Sequence, residues 1–425
     1  LLKEKFIKQT DKTLQVMFVF WCLILPWSMA GMQIALGAVI LLSILLSVFN
    51  HRSPFIYHPF YIFLGIYLLT DLISAGRTDD VTHSLNSVFQ NDWVILTIPF
   101  LVSLPLKALW RKKGFRVLLL SAAVAGLYGI FQFFSGVDIF KGETLTAQGN
   151  FFRAIGGYGG FYTYGGNQLF AFAAAFAFFI LAGNQKIERY VYLLFAAIIF
   201  LSIVASFTRS AWLAVIFVIL LGTLIVNRKK FLYVLGGLIL SGAVLFFLIP
   251  DLQSRFISIF DLSQNEGRLT LWLTSWEIFK ENIFFGIGHG NFSQYFEMFK
   301  VPGFYDAIGH AHNDFINVTV LNGIIGLAAW LAMWIAWFYF AVKAFSKNLW
   351  KDADKKIILS AILGISGILV AALFQCFFTD LENNIFWWFL GATALQIIVQ
   401  SGKRIDEENI SNNKQDINIA KSGEM

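Results

Sequence analysis

Charge is what this chain has least of. Only 14% of its 425 residues are Asp, Glu, Lys or Arg, against about 25% in soluble globular domains, while 57% are apolar. That shortage excludes an ordinary soluble fold. Cysteine is scarcer still: Cys22 and Cys376 fall in separate apolar stretches, so they offer no metal or redox pattern and read as small core residues. No internal repeat is visible.

Long apolar runs take the place of charge. A bilayer core about 30 Å thick needs roughly 20 apolar residues per crossing helix. Cutting the chain at its charged clusters predicts twelve spans, near 14–29, 31–49, 55–75, 93–106, 115–135, 161–183, 189–206, 210–226, 231–249, 317–342, 357–378 and 384–401. The expected fold class is therefore all-α, a polytopic integral membrane protein of about 12 transmembrane helices with a large outward loop between spans nine and ten. Residues 1–249 carry spans one to nine, 250–316 the loop, and 317–401 the last three spans. Residues 402–425 form a polar, aromatic-free tail, expected to be disordered. The first span is too long for a cleaved signal peptide and reads as an anchor.

Basic residues give the orientation. With the amino terminus inside, 24 of the 32 Lys and Arg fall in inward segments, among them Arg111, Lys351 and Lys356, and the even span count keeps both termini in the cytoplasm. The net charge of +6 is then a topology signal, with no nucleic acid implied. Outward cations are few: Arg77, Lys141, Arg153, Arg209, Arg255, Arg268, Lys280 and Lys300. Arginines placed against the insertion bias ask for an anionic partner.

Arg209 sits where the seventh span turns directly into the eighth. It either snorkels to the interface or, with Ser206, Thr208 and Ser210 as neutral donors, holds a phosphate oxygen. Ser263 and Glu266 match a capping box, which predicts a surface helix with an apolar stripe through Leu269, Trp272, Leu273, Trp276 and Phe279. Arg268 falls in its second turn, as a solubilising flank or as an anion contact near the positive end of the helix dipole. His310 and His312 precede Asn313, Asp314 and the tenth span. The pair reads as zinc ligands lacking a third and fourth partner, as solvated histidines beside a helix cap, or as a general base. Gly286, Gly288 and Gly290 make a flexible turn, without the strand and helix of a nucleotide fingerprint. The close outward acid pairs are Asp79 with Asp80, and Asp380 with Glu382; the second either holds a metal, orients His312 or an arginine, or caps the last span.

Three motifs together resemble the bacterial O-antigen ligase family of the O-antigen ligase and polymerase superfamily. They are His312-Asn313, then nine residues, then Gly323 and Gly326; Arg268-Leu-x-x-Trp272 followed by Gly286-Ile-Gly-His-Gly-Asn-Phe292; and the Ser-Phe-Thr-Arg209-Ser turn. The resemblance implies a glycosyltransferase at the periplasmic face of a bacterial inner membrane. It would take a glycan from undecaprenyl diphosphate and move it to a sugar hydroxyl of lipid A-core, in contact with membrane lipids. It also implies that Arg209 and Arg268, with Arg153 as a third candidate, hold the diphosphate, that His312 is the general base, and that His310, Asn313 and Asp380 support it. No metal and no cofactor are expected, since the arginines supply the cations that the leaving group needs. An O-antigen polymerase and a protein O-oligosaccharyltransferase are the alternatives within the superfamily. A lipid-linked glycan flippase is the alternative outside it, although a transporter places charges near mid-membrane, where these spans have almost none.

Overall fold

The computed structural model describes residues 2–248, 253, 257, 266–305, 309–347 and 352–422; Arg255, Ser263 and Lys351 lie outside them. The chain is 77% helical. The helices in order are α1 (Leu2–Ile24), α2 (Met29–Phe49), α3 (Phe60–Gly76), α4 (Val81–Asp92), α5 (Ile98–Ser103), α6 (Ala108–Ser135), α7 (Phe161–Ile180), α8 (Lys186–Ala205), α9 (Arg209–Val226) and α10 (Arg228–Leu248). After them come α11 (Glu266–Glu281), α12 (Phe292–Phe299), α13 (Asp314–Ser346), α14 (Asp352–Ala371) and α15 (Leu381–Ser422). Two tiny hairpins, pairing 137–138 with 143–144 and 147–148 with 151–152, interrupt the all-α pattern between α6 and α7.

Among the described residues, six helices are long and apolar enough to cross a membrane: α2, α6, α8, α9, α13 and residues 381–402 of α15. α3 is a shorter apolar helix. The stretch expected as a span at 93–106 is broken into a 3-10 turn over Trp93–Thr97 and the six-residue α5. Pro99 and Pro105 explain the break, because proline cannot donate within a helix. At the other end of the chain α15 runs on to Ser422. Residues 403–422 of this helix contain neither glycine nor proline to stop it.

α7 is the central helix, buried at every position from Tyr164 to Phe178. Its run of alanines gives neighbouring helices close approach, as small residues do in membrane bundles. Aromatic packing then fixes the carboxy-terminal elements. Trp334 of α13 stacks on Trp387 and Trp388 of α15 with ring centroids 5.0 Å apart in each pair. Phe378, in the loop joining α14 to α15, meets Trp330 edge-on at 5.7 Å. Away from this cluster Arg111 pairs with Asp354 at 3.0 Å and also donates to the Leu106 carbonyl and Gln400. Arg111 and Lys356 are thus buried rather than solvated loop charges.

Candidate active site

Arg153, Arg209 and Arg268 share one cavity of about 70 Å³, with Gln148, Tyr162, Phe207 and Ser210 completing its wall. They come from three places: the end of the second hairpin, the first residue of α9 and the third residue of α11. Drug-sized ligands take about 300 Å³ or more, so this cavity suits a small anion. Arg209 and Ser210 lie in the first turn of α9, where the dipole and unpaired N–H groups favour negative charge. The described part of α11 starts at Glu266, and Ser263, the expected cap, lies outside the described residues.

The turn between α8 and α9 aims Arg209. Phe207 adopts φ 54°, a left-handed backbone that costs a bulky residue about 1–3 kcal/mol. The expected trio of hydroxyl donors does not form there. Ser206 donates to the Ile203 carbonyl at 2.7 Å and Thr208 to the Phe161 carbonyl at 3.0 Å, so both hydroxyls are used by the backbone. Of the three, Ser210 lines the cavity. Arg153 lies with its Cζ 3.2 Å from the centre of the Phe161 ring and reaches the Ser206 carbonyl at 3.4 Å.

His312 stands one aromatic ring from the arginines. Its ring centre is 6.5 Å from that of Tyr162, whose hydroxyl is 3.4 Å from Nη2 of Arg268 and whose ring lies 5.5 Å from Arg153. Like Phe207, His312 has a left-handed backbone, φ 47°. Its Nδ1 is 2.5 Å from Oε1 of Gln375. An amide oxygen only accepts, so Nδ1 carries the proton in the neutral ring and Nε2 keeps the lone pair. His310 packs edge-on at 4.3 Å, and its Nδ1 accepts from the His312 backbone N–H at 3.2 Å. Burial, aided by the charge of His312, lowers the His310 pKa to about 4. His310 is therefore a neutral neighbour near pH 7.

The remaining candidates are scaffolding. Asn313 caps α13 by accepting from the Ile316 N–H at 3.1 Å and donates to the Leu373 carbonyl at 2.9 Å. Asp314 accepts from the backbone N–H groups of Phe377 and Phe378, both at 2.9 Å. Asp380 accepts 2.6 Å from Thr163 and 3.4 Å from the Asn383 N–H, so it caps α15 and holds the first turn of α7, next to Tyr162. Asp80 likewise caps α4 through the His83 N–H.

Trp272 donates its indole N–H to the Ala311 carbonyl at 2.9 Å, which couples the Arg268 helix to the histidine segment. The glycine turn is firmly held instead of flexible. Gly286 and Gly323 both have positive φ, 67° and 68°, and sit against opposite strands of backbone. A Cβ at Gly286 would lie 2.4 Å from the Leu321 carbonyl, and one at Gly323 would lie 2.3 Å from that of Phe284. α13 kinks at Gly323 as a result.

Tyr162 and Gln375 are the neighbours of the candidate residues that motif reasoning missed. Tyr162 reads as one of several interfacial aromatics, with nothing in its segment to connect it to Arg268, 106 residues later. Gln375 carried a signal, since a lone amide within the apolar run expected as a span over 357–378 is costly unless it is used. α14 in fact ends at Ala371, leaving Gln375 in the following loop.

Residues 194–331 match the family model described as O-antigen ligase. The match takes in Arg209, Arg268 and the His310–Asn313 segment, and leaves Arg153, Tyr162, Gln375 and Asp380 outside it. No curated protein matches the chain.

Proposed function

We propose that this chain, which the match over residues 194–331 places in the O-antigen ligase/polymerase superfamily, is a membrane glycosyltransferase of the ligase type. Its donor is a glycan on undecaprenyl diphosphate, and its acceptor is a sugar hydroxyl of lipid A-core. The reaction belongs to the periplasmic face of a bacterial inner membrane, with both termini in the cytoplasm. The observation that carries this reading is the meeting of Arg153, Arg209 and Arg268 in one cavity, with His312 one ring away.

In the proposed step, Nε2 of His312 takes the proton of the acceptor hydroxyl while that oxygen attacks the anomeric carbon. The bond from this carbon to the diphosphate oxygen breaks, and the diphosphate leaves with the electron pair. Three guanidinium groups stabilise that charge in a site of fixed geometry, so the step calls for no divalent ion. A single displacement inverts the anomeric centre. Leu269, Leu273 and Trp276 form an exposed apolar face on α11, suited to lie against lipid where the polyprenyl chain runs.

The test is transfer by the purified protein, with a polyprenyl-diphosphate glycan supplied alone or with lipid A-core. Product that appears only with lipid A-core supports the ligase. Longer lipid-linked chains formed without it replace that reading with the polymerase, and glycan moved across vesicles without a new bond replaces it with the flippase.

A further inference from the structure

Four buried polar side chains meet apart from the arginine cavity. Asp71 comes from α3, Asp92 from the end of α4, His289 from the glycine turn, and Asn322 from α13 just before its kink. They are 0%, 2%, 3% and 1% exposed, respectively. Polar groups at that depth are normally hydrogen-bonded, and charges paired. Here Asp71 Oδ2, both carboxylate oxygens of Asp92, His289 Nε2 and Asn322 Oδ1 have no hydrogen-bond partner among the described residues.

Asn322 is aimed into the group, because its amide donates to Asp71 Oδ1. His289 is held in place independently: Ser84 donates to its carbonyl at 2.9 Å, and its ring is flanked by Asp71 at 3.4 Å and Asp92 at 3.9 Å. Both ring contacts exceed the roughly 2.7–2.9 Å of a charge-assisted hydrogen bond. One ligand atom from each of Asp71, Asp92 and His289 lies within 4.8 Å of the others. Donors about 2.0–2.1 Å from a tetrahedral cation are about 3.3 Å apart. The 3.4 Å between His289 Nε2 and Asp71 Oδ1 already has that spacing.

We propose that Asp71, Asp92, His289 and Asn322 form a buried site for one divalent cation of the zinc or manganese class. A single imidazole nitrogen with carboxylate and amide oxygens, and no sulfur, selects that class. The cation balances the two carboxylates and fastens the glycine turn and the kink of α13 to α3 and α4. Its role is structural. None of the four residues lines the arginine cavity, and Asn322 lies about 12 Å along the helix from Asp314, so the ion sits apart from the arginines and His312, and the site stands whatever glycan the protein transfers.

The experiment uses the full chain purified in detergent without chelator. Metal content is read by elemental mass spectrometry, and melting is followed after chelator treatment and re-addition of Zn²⁺, Mn²⁺ or, as a control, Mg²⁺. We expect one cation per chain and a rise of about 5 °C in Tm at saturating Zn²⁺ or Mn²⁺. Asp92→Asn and His289→Gln should lose the bound cation and the rise. If the wild-type protein retains and rebinds neither ion, or if both variants bind it as the wild type does, the proposal is overturned.

Discussion

Gln375 faces Nδ1 of His312 at 2.5 Å, and this one contact selects the ring nitrogen that is able to accept a proton. The amide comes from the loop after α14, 63 residues beyond the histidine it orients.

The first prediction follows from that pair. His312→Ala is expected to lower transfer by about 100-fold to 10,000-fold with donor binding retained. Gln375→Leu removes the acceptor at similar size and should lower kcat by at least about 10-fold with little change in KM, as loss of a tautomer-fixing partner does. Near-normal turnover in His312→Ala would remove the base from this position and turn attention to His310.

The arginines are tested by conservative change. Arg209→Lys and Arg268→Lys keep the charge and lose the planar fork that grips two oxygens at once. Each should weaken donor affinity as well as rate, measured as the donor Kd alongside single-turnover transfer. Wild-type values in both variants would make the two residues interfacial anchors.

Tyr162→Phe separates ring from hydroxyl. The ring stays beside Arg153 and His312, while the 3.4 Å contact with Arg268 is lost. One neutral-to-charged hydrogen bond is worth about 1.5–3 kcal/mol at best geometry; at this length the expected loss in donor affinity is smaller, about 2-fold to 10-fold. Tyr162→Ala, which also opens the cavity wall toward His312, should cost more. Equal effects in the two variants would assign the role to the hydroxyl alone.

Acid exposes His310. Its pKa falls from about 6.5 unfolded to about 4 folded, so the folded state binds fewer protons between those values. The stability that the neutral ring contributes is complete above pH 6.5 and is lost as pH falls through 4. Wild-type Tm should therefore decline from pH 7 to pH 4 more steeply than that of His310→Gln. Parallel declines would show that the ring is not buried as described.

Asp380→Asn probes the cap. Asn caps a helix about as well as Asp, so the substitution should change stability by less than about 0.5 kcal/mol, and slow transfer less than His312→Ala does. Adding Mg²⁺, which the buried site at Asp71, Asp92 and His289 does not select, should not raise the rate of the wild type or the variant. Activation by Mg²⁺ would place Asp380 and Glu382 at the chemistry.

Hydropathy and charge made the helical membrane class legible, and motif spacing singled out Arg209, Arg268 and His312 as candidates that the fold brings near one another, because each signal is local. What stayed hidden depends on contacts between distant segments. Arg153 was visible as an outward arginine, yet its seat on Phe161 arises only when the hairpin folds back onto α7. Ser206 and Thr208 looked like free donors because the carbonyls that claim them are set by the turn. Asp71 and Asp92 escaped as a pair because they join His289 from two different helices.

The hold of Asp314 on Phe377 and Phe378 also bears on synthesis. The arginine cavity is complete once α11 has been made, but the partner of the histidine ring arrives only with the loop after α14. A chain stopped after α13 would hold every residue that lines the anion cavity, without the Asp380 contact that fixes the first turn of α7, and an unoriented imidazole. The ring of His312 therefore gains the partner that fixes its tautomer only when the loop after α14 has been made.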